Sequence, residues 1–496
     1  MGATVLKKAA TGGEESQSLV APRPRSAGGA GSTRSNRGMS VLATSGLLVA
    51  DVVGTGVMGL GGDMAALGWS WGLALLVLQV PANYYAGVML ARASRVYQDR
   101  HGTRARDYSV LAKGMYAGGA GAAGAAVGAV LYLNLILVMG GYLLVMAKGL
   151  QALAYQSRLC IGMAAATSAA PLLAIAQKRQ LKELTLYSVV SAACIFLVLV
   201  LCLVRLYEQH STAEDAPAWA GEPSAGTDFL SKCGALSAIV FASGGQKLYP
   251  SMMAEMADPM QFPRALRNAM CIYMSLYLLV AVVAYGVCGD HAPGYLLDVL
   301  PFSAVRSVAG GLMWVHVLIG YAINSQALSA ACVAWLAPSA AAGGVSGAGS
   351  PAGCKDAEGQ ELAAHLAREG GALGITPFHA VYHRVLWFVA SGALLLTAFL
   401  LACGVPFFAD MVSLVGALSS VPLGFLVPGA LYLQASKLGK LGLSAAERAG
   451  LWTMMIAALF VGITGTLGTL RNIANHWGEH GLPFDCHCDS AQCHAA

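Results

Sequence analysis

The sequence predicts an all-α polytopic membrane protein of about eleven transmembrane helices, arranged as a 5+5 inverted repeat with helices one and six broken. Three observations carry this. Of 496 residues, 56% are hydrophobic and only 11% charged, with a mean hydropathy of +0.61, whereas soluble domains run at roughly a quarter charged. The apolar residues fall in runs of about twenty or more, the length a helix needs to cross a hydrocarbon core of ~30 Å. Charge is rare within those runs, and a helix satisfies its own backbone in lipid. The formal charge of +5 is small and dispersed, which argues against nucleic acid as a partner and for loops flanking a lipid bilayer.

Residues 1–40 form a polar Gly/Ser/Ala-rich arm carrying Lys7, Lys8, Arg23, Arg25, Arg34 and Arg37. It lacks the apolar core of a secretory signal and is expected to be a disordered cytosolic segment. The transmembrane body covers 41–470, with spans expected at 41–66, 69–91, 119–149, 159–177, 183–206, 229–256, 268–289, 307–336, 384–403, 409–433 and 450–470. A flexible inner loop, 337–383, opens on an Ala/Gly/Ser/Pro stretch at 337–353. In the third span Gly124 and Gly128 form a GxxxG pair suited to helix packing. Placing the amino terminus inside puts about 23 of the 30 basic residues on inner segments, as the positive-inside rule requires. The 208–228 loop, acidic and without Lys or Arg, then lies outside. An odd span count puts the Cys/His-rich tail, 471–496, outside or in a lumen; which membrane holds the protein, plasma or vacuolar/endomembrane, is left open.

Two spans are interrupted. The first reads Asp51-Val52-Val53-Gly54-Thr55-Gly56, and the sixth Phe241-Ala242-Ser243-Gly244-Gly245-Gln246-Lys247. Glycines, an aspartate and a lysine at such depth cost helix stability and solvation, and a charge at mid-membrane costs about 2.5–3.5 kcal/mol. These segments should therefore face a cavity or a partner. Spans one and six are corresponding members of two five-helix halves, and an odd number of helices per half makes the second half inverted. Paired breaks in an inverted repeat point to a transporter's midplane site. Free amides at a half-helix amino end attract a carboxylate, and freed carbonyls take an ammonium. On this reading Val53, Gly54, Thr55 and Gly56 bind the acid end of a substrate, and Phe241, Ser243, Gly244 and Gly245 its amine.

The residues also resemble a known family. Gly54-Thr55-Gly56-Val57 with Gly59-Leu60 and Leu67-Gly68-Trp69 looks like the first span of the amino acid/auxin permease family. Glu255-Met256-Ala257-Asp258-Pro259 followed by Phe262-Pro263-Arg264 is similar to its loop after span six, and Tyr285-Gly286 with Gly289-Asp290 to its end of span seven. Val405-Pro406-Phe407-Phe408-Ala409-Asp410 and Val427-Pro428-Gly429-Ala430-Leu431-Tyr432-Leu433 resemble spans nine and ten. The resemblance runs collinearly over roughly 41–470. It implies the inverted-repeat fold of the bacterial leucine transporter and amino acid transport driven by a proton or sodium gradient. The chain departs from the family at Ala50, where Asn is usual, at Gly61 in place of Pro, and at Gln246 in place of His.

These departures bear on the driving ion. Ala50 removes an oxygen ligand for sodium, and Asp51 adds a titratable group beside the break, so a proton is favoured and sodium is the alternative. Asp51 reads either as the proton carrier or as a structural pair with Lys247. His316 is a second titratable candidate, and Asn324 and Ser325 could supply oxygens to an ion. Asp63 is expected in a solvated outer vestibule. Cys160 and Cys288, both near the outer face, form a plausible disulfide by compartment. No cofactor, resident metal or enzymatic motif is expected. The tail histidines and cysteines match no closed zinc module. An amino acid symporter leads; an auxin or organic-acid permease and a transporter-like nutrient sensor are the alternatives.

Overall fold

The computed structural model describes residues 38–116, 120–157, 159–179, 181–212, 228–336, 377–405, 408–439 and 441–476. Most of the amino-terminal arm, the 337–353 stretch and most of the carboxyl-terminal tail lie outside these residues. Among those described, everything regular is helical, apart from isolated bridge residues, of which Met39 pairs with Met256. Among the described residues, eight helical stretches are long and apolar enough to cross a membrane, and two shorter apolar helices, Ile161–Ile175 and Phe229–Ala242, accompany them.

Helix α1, Val41–Val52, starts at Ser40, whose hydroxyl caps the Ala43 amide at 3.2 Å. It stops where Val53 and Gly54 leave helical geometry, and a 3-10 turn follows over Thr55–Gly59. The chain re-enters helix as α2, Leu60–His101, which kinks at Gly68 (φ 78°, ψ 177°). That conformation is open to glycine at no steric cost; it separates the outer half of the first span from the second span. A short helix, α3 (Tyr108–Met115), receives the GxxxG face of α4, Ala120–Leu153: Gly124 lies against Lys113 and Gly128 against Ser109.

Helices α5 (Ile161–Ile175) and α6 (Leu181–Thr212) follow. The sixth expected span is α7, Phe229–Ala242, a break at 243–245, a 3-10 turn over Gln246–Leu248, and α8, Tyr249–Glu255. Then come α9 (Phe262–Cys288), α10 (Ala304–Leu336) and α11 (Pro377–Gly404). The tenth expected span begins as α12, Phe408–Val415, widens through two π-helical stretches, Gly416–Ser420 and Pro422–Leu426, and ends as α13, Val427–Leu438. Helix α14 covers Ala445–His476.

Small residues set the closest approaches. A Cβ on Gly149 of α4 would sit 2.9 Å from the Gly310 carbonyl of α10, so these two backbones touch directly. Outward faces are apolar instead: Trp452, Ile456, Phe460, Ile463 and Leu467 make a stripe along α14, each more than half exposed. In water such a stripe would be a liability; in a bilayer it is the lipid face.

Gly38 to Ser40, expected within the arm, are anchored instead. The Met39 amide donates to the Glu255 carbonyl at 2.8 Å, and the Met39 carbonyl accepts from the Ala257 amide at 3.0 Å. Arg104 adds hydrogen bonds to the Ala254 and Met256 carbonyls at 3.1 and 2.7 Å. The start of α1 is thereby latched to the end of α8. The basic-residue asymmetry predicts that this latch faces the inner side. An impermeant label applied to sealed vesicles of known sidedness should reach the 477–496 segment from outside and the amino-terminal arm only after permeabilisation; the reverse pattern overturns the orientation.

Candidate functional site

The two breaks meet. A Cβ on Gly56 would lie 2.7 Å from Ala242 Cβ and closer still to its Cα, so the first break rests on the last turn of α7. Gly245 is similarly tight against Val52, at 2.7 Å from its Cγ2. Of the two breaks, Val53 to Gly56 are buried, as are Ser243 and Gly245, while Phe241 and Gly244 are half-buried. Tyr277 of α9 ties them together: its hydroxyl lies 2.6 Å from the Val52 carbonyl and 2.9 Å from the Ala242 carbonyl. One phenolic proton thus serves the carbonyl ends of both half-helices.

On one side of this junction α1 faces α10 and α6. Asp51 is buried, and its Oδ1 accepts from Asn324 Nδ2 at 3.2 Å across 273 positions of sequence. Asn324 Nδ2 also donates to the Gly320 carbonyl at 3.0 Å. Asp51 Oδ2 and Asn324 Oδ1 are both buried and accept no hydrogen bond. Two acceptor oxygens without a donor are costly in a dry interior. His316 stands one step along: its Nδ1 is 2.8 Å from Ser191 Oγ, and its Nε2 faces Gly54, where a Cβ would sit 3.6 Å away. Ser325 turns away, its hydroxyl donating to the Ala322 carbonyl of its own helix at 3.0 Å.

The proposed partnership of Asp51 with Lys247 is not formed. Lys247 is buried in the 3-10 turn after the second break, and no carboxylate among the described residues comes within ion-pair distance of it. Asp51 sits on α1 toward α10, and a neutral amide takes its oxygen instead.

On the other side the second break is held by amides. Asn83 Nδ2 donates to the Gln79 carbonyl and to Gln79 Oε1, each at 2.8 Å, and Gln246 Nε2 donates to Asn83 Oδ1. The Ser243 hydroxyl lies 3.0 Å from the Ile239 carbonyl and 3.5 Å from Gln79 Oε1. Farther along, Asn134 Nδ2 donates to the Ser419 and Ser420 hydroxyls on the first π stretch, at 2.9 and 3.0 Å. Helices widened in this way recur at functional sites.

Beyond the first break the chain packs against the segment around Gly294. A Cβ on Gly62 would lie 3.0 Å from Gly294 Cα, and Tyr295 packs on Phe408 with ring centroids 4.8 Å apart. Asp63, expected in a solvated vestibule, is buried beneath this segment with Oδ2 unpartnered. The anticipated Cys160–Cys288 disulfide is absent. Cys288 is a free thiol, and Cys160 is disulfide-bonded elsewhere. Compartment alone had suggested that pairing, and compartment does not choose among several outer cysteines.

Residues 37–471 match the family described as "Transmembrane amino acid transporter protein". The chain belongs to this family. No curated protein matches it significantly. Among solved structures it is similar to MhsT in complex with L-phenylalanine, at 12% identity over 87% of this chain and 99% of that one, with a TM-score of 0.42. A mutant of the Eremococcus coleocola manganese transporter is similar over 88% of this chain and 96% of that one, at 12% identity and a TM-score of 0.38.

In this amino acid transporter-family protein, then, Asp51 and Asn324 are brought into contact, and Gly54 faces His316. At the crossing Gly56 lies against Ala242 and Gly245 against Val52; Val53, Thr55 and Ser243 are buried beside it, and Phe241 and Gly244 are half-buried. Sequence reasoning missed Tyr277, Gln79, Asn83 and Asn134. For the amides a signal existed: polar side chains such as Gln79 and Asn83, four apart in an apolar span, share one helix face and call for a partner. For Tyr277 there was none.

Proposed function

We propose that this protein is a secondary active transporter that moves amino acids by alternating access and is driven by protons. One observation carries the choice of ion: two buried acceptor oxygens, Asp51 Oδ2 and Asn324 Oδ1, stand beside the first break without a donor. A single proton on Asp51 turns Oδ2 from an unpartnered acceptor into a donor. A hard cation wants a shell of several oxygens. Ser325 is committed to its own helix, and Ala50 supplies no side-chain oxygen. The absence of an ion pair with Lys247 leaves the Asp51 carboxyl to be neutralised by a mobile proton instead of a fixed charge.

Substrate chemistry follows from the backbone. The first amides of the 3-10 turn at Thr55–Gly59 have no intrahelical acceptor and suit an α-carboxylate. The carbonyl end of α7 suits the ammonium. On this reading the Met39–Glu255 latch and the Gly62–Gly294 contact would act as the two barriers on either side of this point, and alternating access would require them to open in turn. In proteoliposomes of the wild-type protein, a panel of radiolabelled amino acids should accumulate under an inward-acid pH gradient in sodium-free buffer. Accumulation that ignores pH and requires sodium reverses the ion; uptake of organic acids without amino acids reverses the substrate class.

A further inference from the structure

We propose that the cavity between the α5–α6 turn and the start of α11 binds the headgroup of an anionic phospholipid of the inner leaflet. The cavity, about 590 Å³, is lined by Gln177, Arg179, Arg384, Val385 and Phe388. Arg179 and Arg384 share it, and no carboxylate among the described residues lies within ion-pair distance of either. Burial and the neighbouring Arg384 both pull the Arg179 guanidinium below its usual range, burial more strongly. A protein surface that gathers two like charges with no counter-ion among the described residues is complementary to an anion. Guanidinium forks match the oxygens of a phosphate in particular.

The site is held in place. Arg179 stacks over the Trp387 ring at 5.4 Å, and its Nη1 lies 3.2 Å from His383 Nδ1. Trp387 Nε1 in turn donates to the Ala176 carbonyl at 3.0 Å, and Gln177 Nε2 donates to Ser391 Oγ at 3.0 Å. Gln326 of α10 fixes the Lys178 carbonyl at 3.0 Å. The turn that carries Arg179 is therefore bound to two other helices before any ligand arrives.

A lipid is the occupant that fits both walls. Val385 and Phe388 are each more than half exposed, apolar, and one and four positions beyond Arg384 on the same helix. They continue the cavity toward the hydrocarbon, where acyl chains would lie, while the two arginines sit at the polar end. Alternation of the spans puts this turn on the same face as Met39, the inner side, where anionic lipids concentrate.

The test uses full-length protein, delipidated in neutral detergent and titrated with phosphatidic acid, phosphatidylcholine or soluble glycerol phosphate, with retained ligand read by native mass spectrometry. Wild type should retain phosphatidic acid and not phosphatidylcholine. Arg179→Gln/Arg384→Gln should weaken that retention by at least about tenfold. Arg384→Gln alone leaves the Trp387 stack intact; it should keep the ligand-free melting temperature and still lose most of the affinity. Equal retention of phosphatidic acid by wild type and Arg384→Gln overturns the proposal. Displacement of the lipid by equimolar glycerol phosphate overturns it too, making the cavity a site for soluble anions. The result does not depend on which ion drives transport.

Discussion

Asp51→Asn should abolish accumulation against a gradient under an inward-acid pH difference, while exchange of substrate across the membrane continues. A gradient of about one pH unit supplies ~1.4 kcal/mol per proton, roughly tenfold accumulation at equilibrium. A protein that cannot take up the proton brings the substrate ratio to one. Asparagine has the shape and neutrality of a protonated aspartate and can still meet Asn324, whose amide lies 3.2 Å from the native carboxylate oxygen. Packing at the break is therefore preserved and only the exchangeable proton is lost. Counterflow of labelled substrate at equal pH measures the first property, and pH-driven uptake the second. Retention of pH-driven accumulation by Asp51→Asn would exclude Asp51 as carrier. Loss of both activities with an unchanged melting temperature would make the carboxylate part of substrate binding.

How much of this site could be read without coordinates differs residue by residue. The breaks were legible because their composition is improbable in lipid: Gly54, Thr55 and Gly56 beside Asp51, and Gly244 and Gly245 beside Lys247, oppose both helix and bilayer. The boundary between the first two spans was expected at 66–69, and the chain kinks there at Gly68. The pairing of charges was not legible. Asp51 and Lys247 looked like partners because each needs one, but partnership is set by which helix face meets which, and α1 turns Asp51 toward α10. Asn324 was named as an oxygen donor for an ion and emerged as the donor to Asp51.

Tyr277 shows the opposite limit. Within α9 it is one of several tyrosines in an apolar run, and neither spacing nor composition separates it from Tyr273, which is just as buried. Its role arises only because α1 and α7 end on it together, a fact of tertiary packing. Two half-helices that share one hydroxyl are mechanically coupled at their carbonyl ends, so movement of either must break or carry the other's hydrogen bond.

Gly56→Leu and Gly54→Ala should part in a way that locates the substrate. Gly56 has no room: its Cβ would stand 2.7 Å from Ala242 Cβ, against backbone that cannot rotate aside. Overpacking of this kind costs about 1–3 kcal/mol or more, so Gly56→Leu should melt at a lower temperature and lose binding because the breaks no longer meet. Gly54 has room for a methyl group, with His316 Nε2 at 3.6 Å as the nearest atom across the gap. Gly54→Ala should therefore fold and melt as wild type. Its methyl group would project into the space beside the free amides, where the substrate carboxylate is proposed to sit, and should raise the substrate Kd by about tenfold or more. Scintillation proximity binding on purified protein, with melting temperature measured on the same samples, separates the two effects. A Gly54→Ala protein with unchanged affinity and unchanged stability would remove the carboxylate site from the first break and leave the amide-lined side, at Gln79, Asn83 and Gln246, as the place to look.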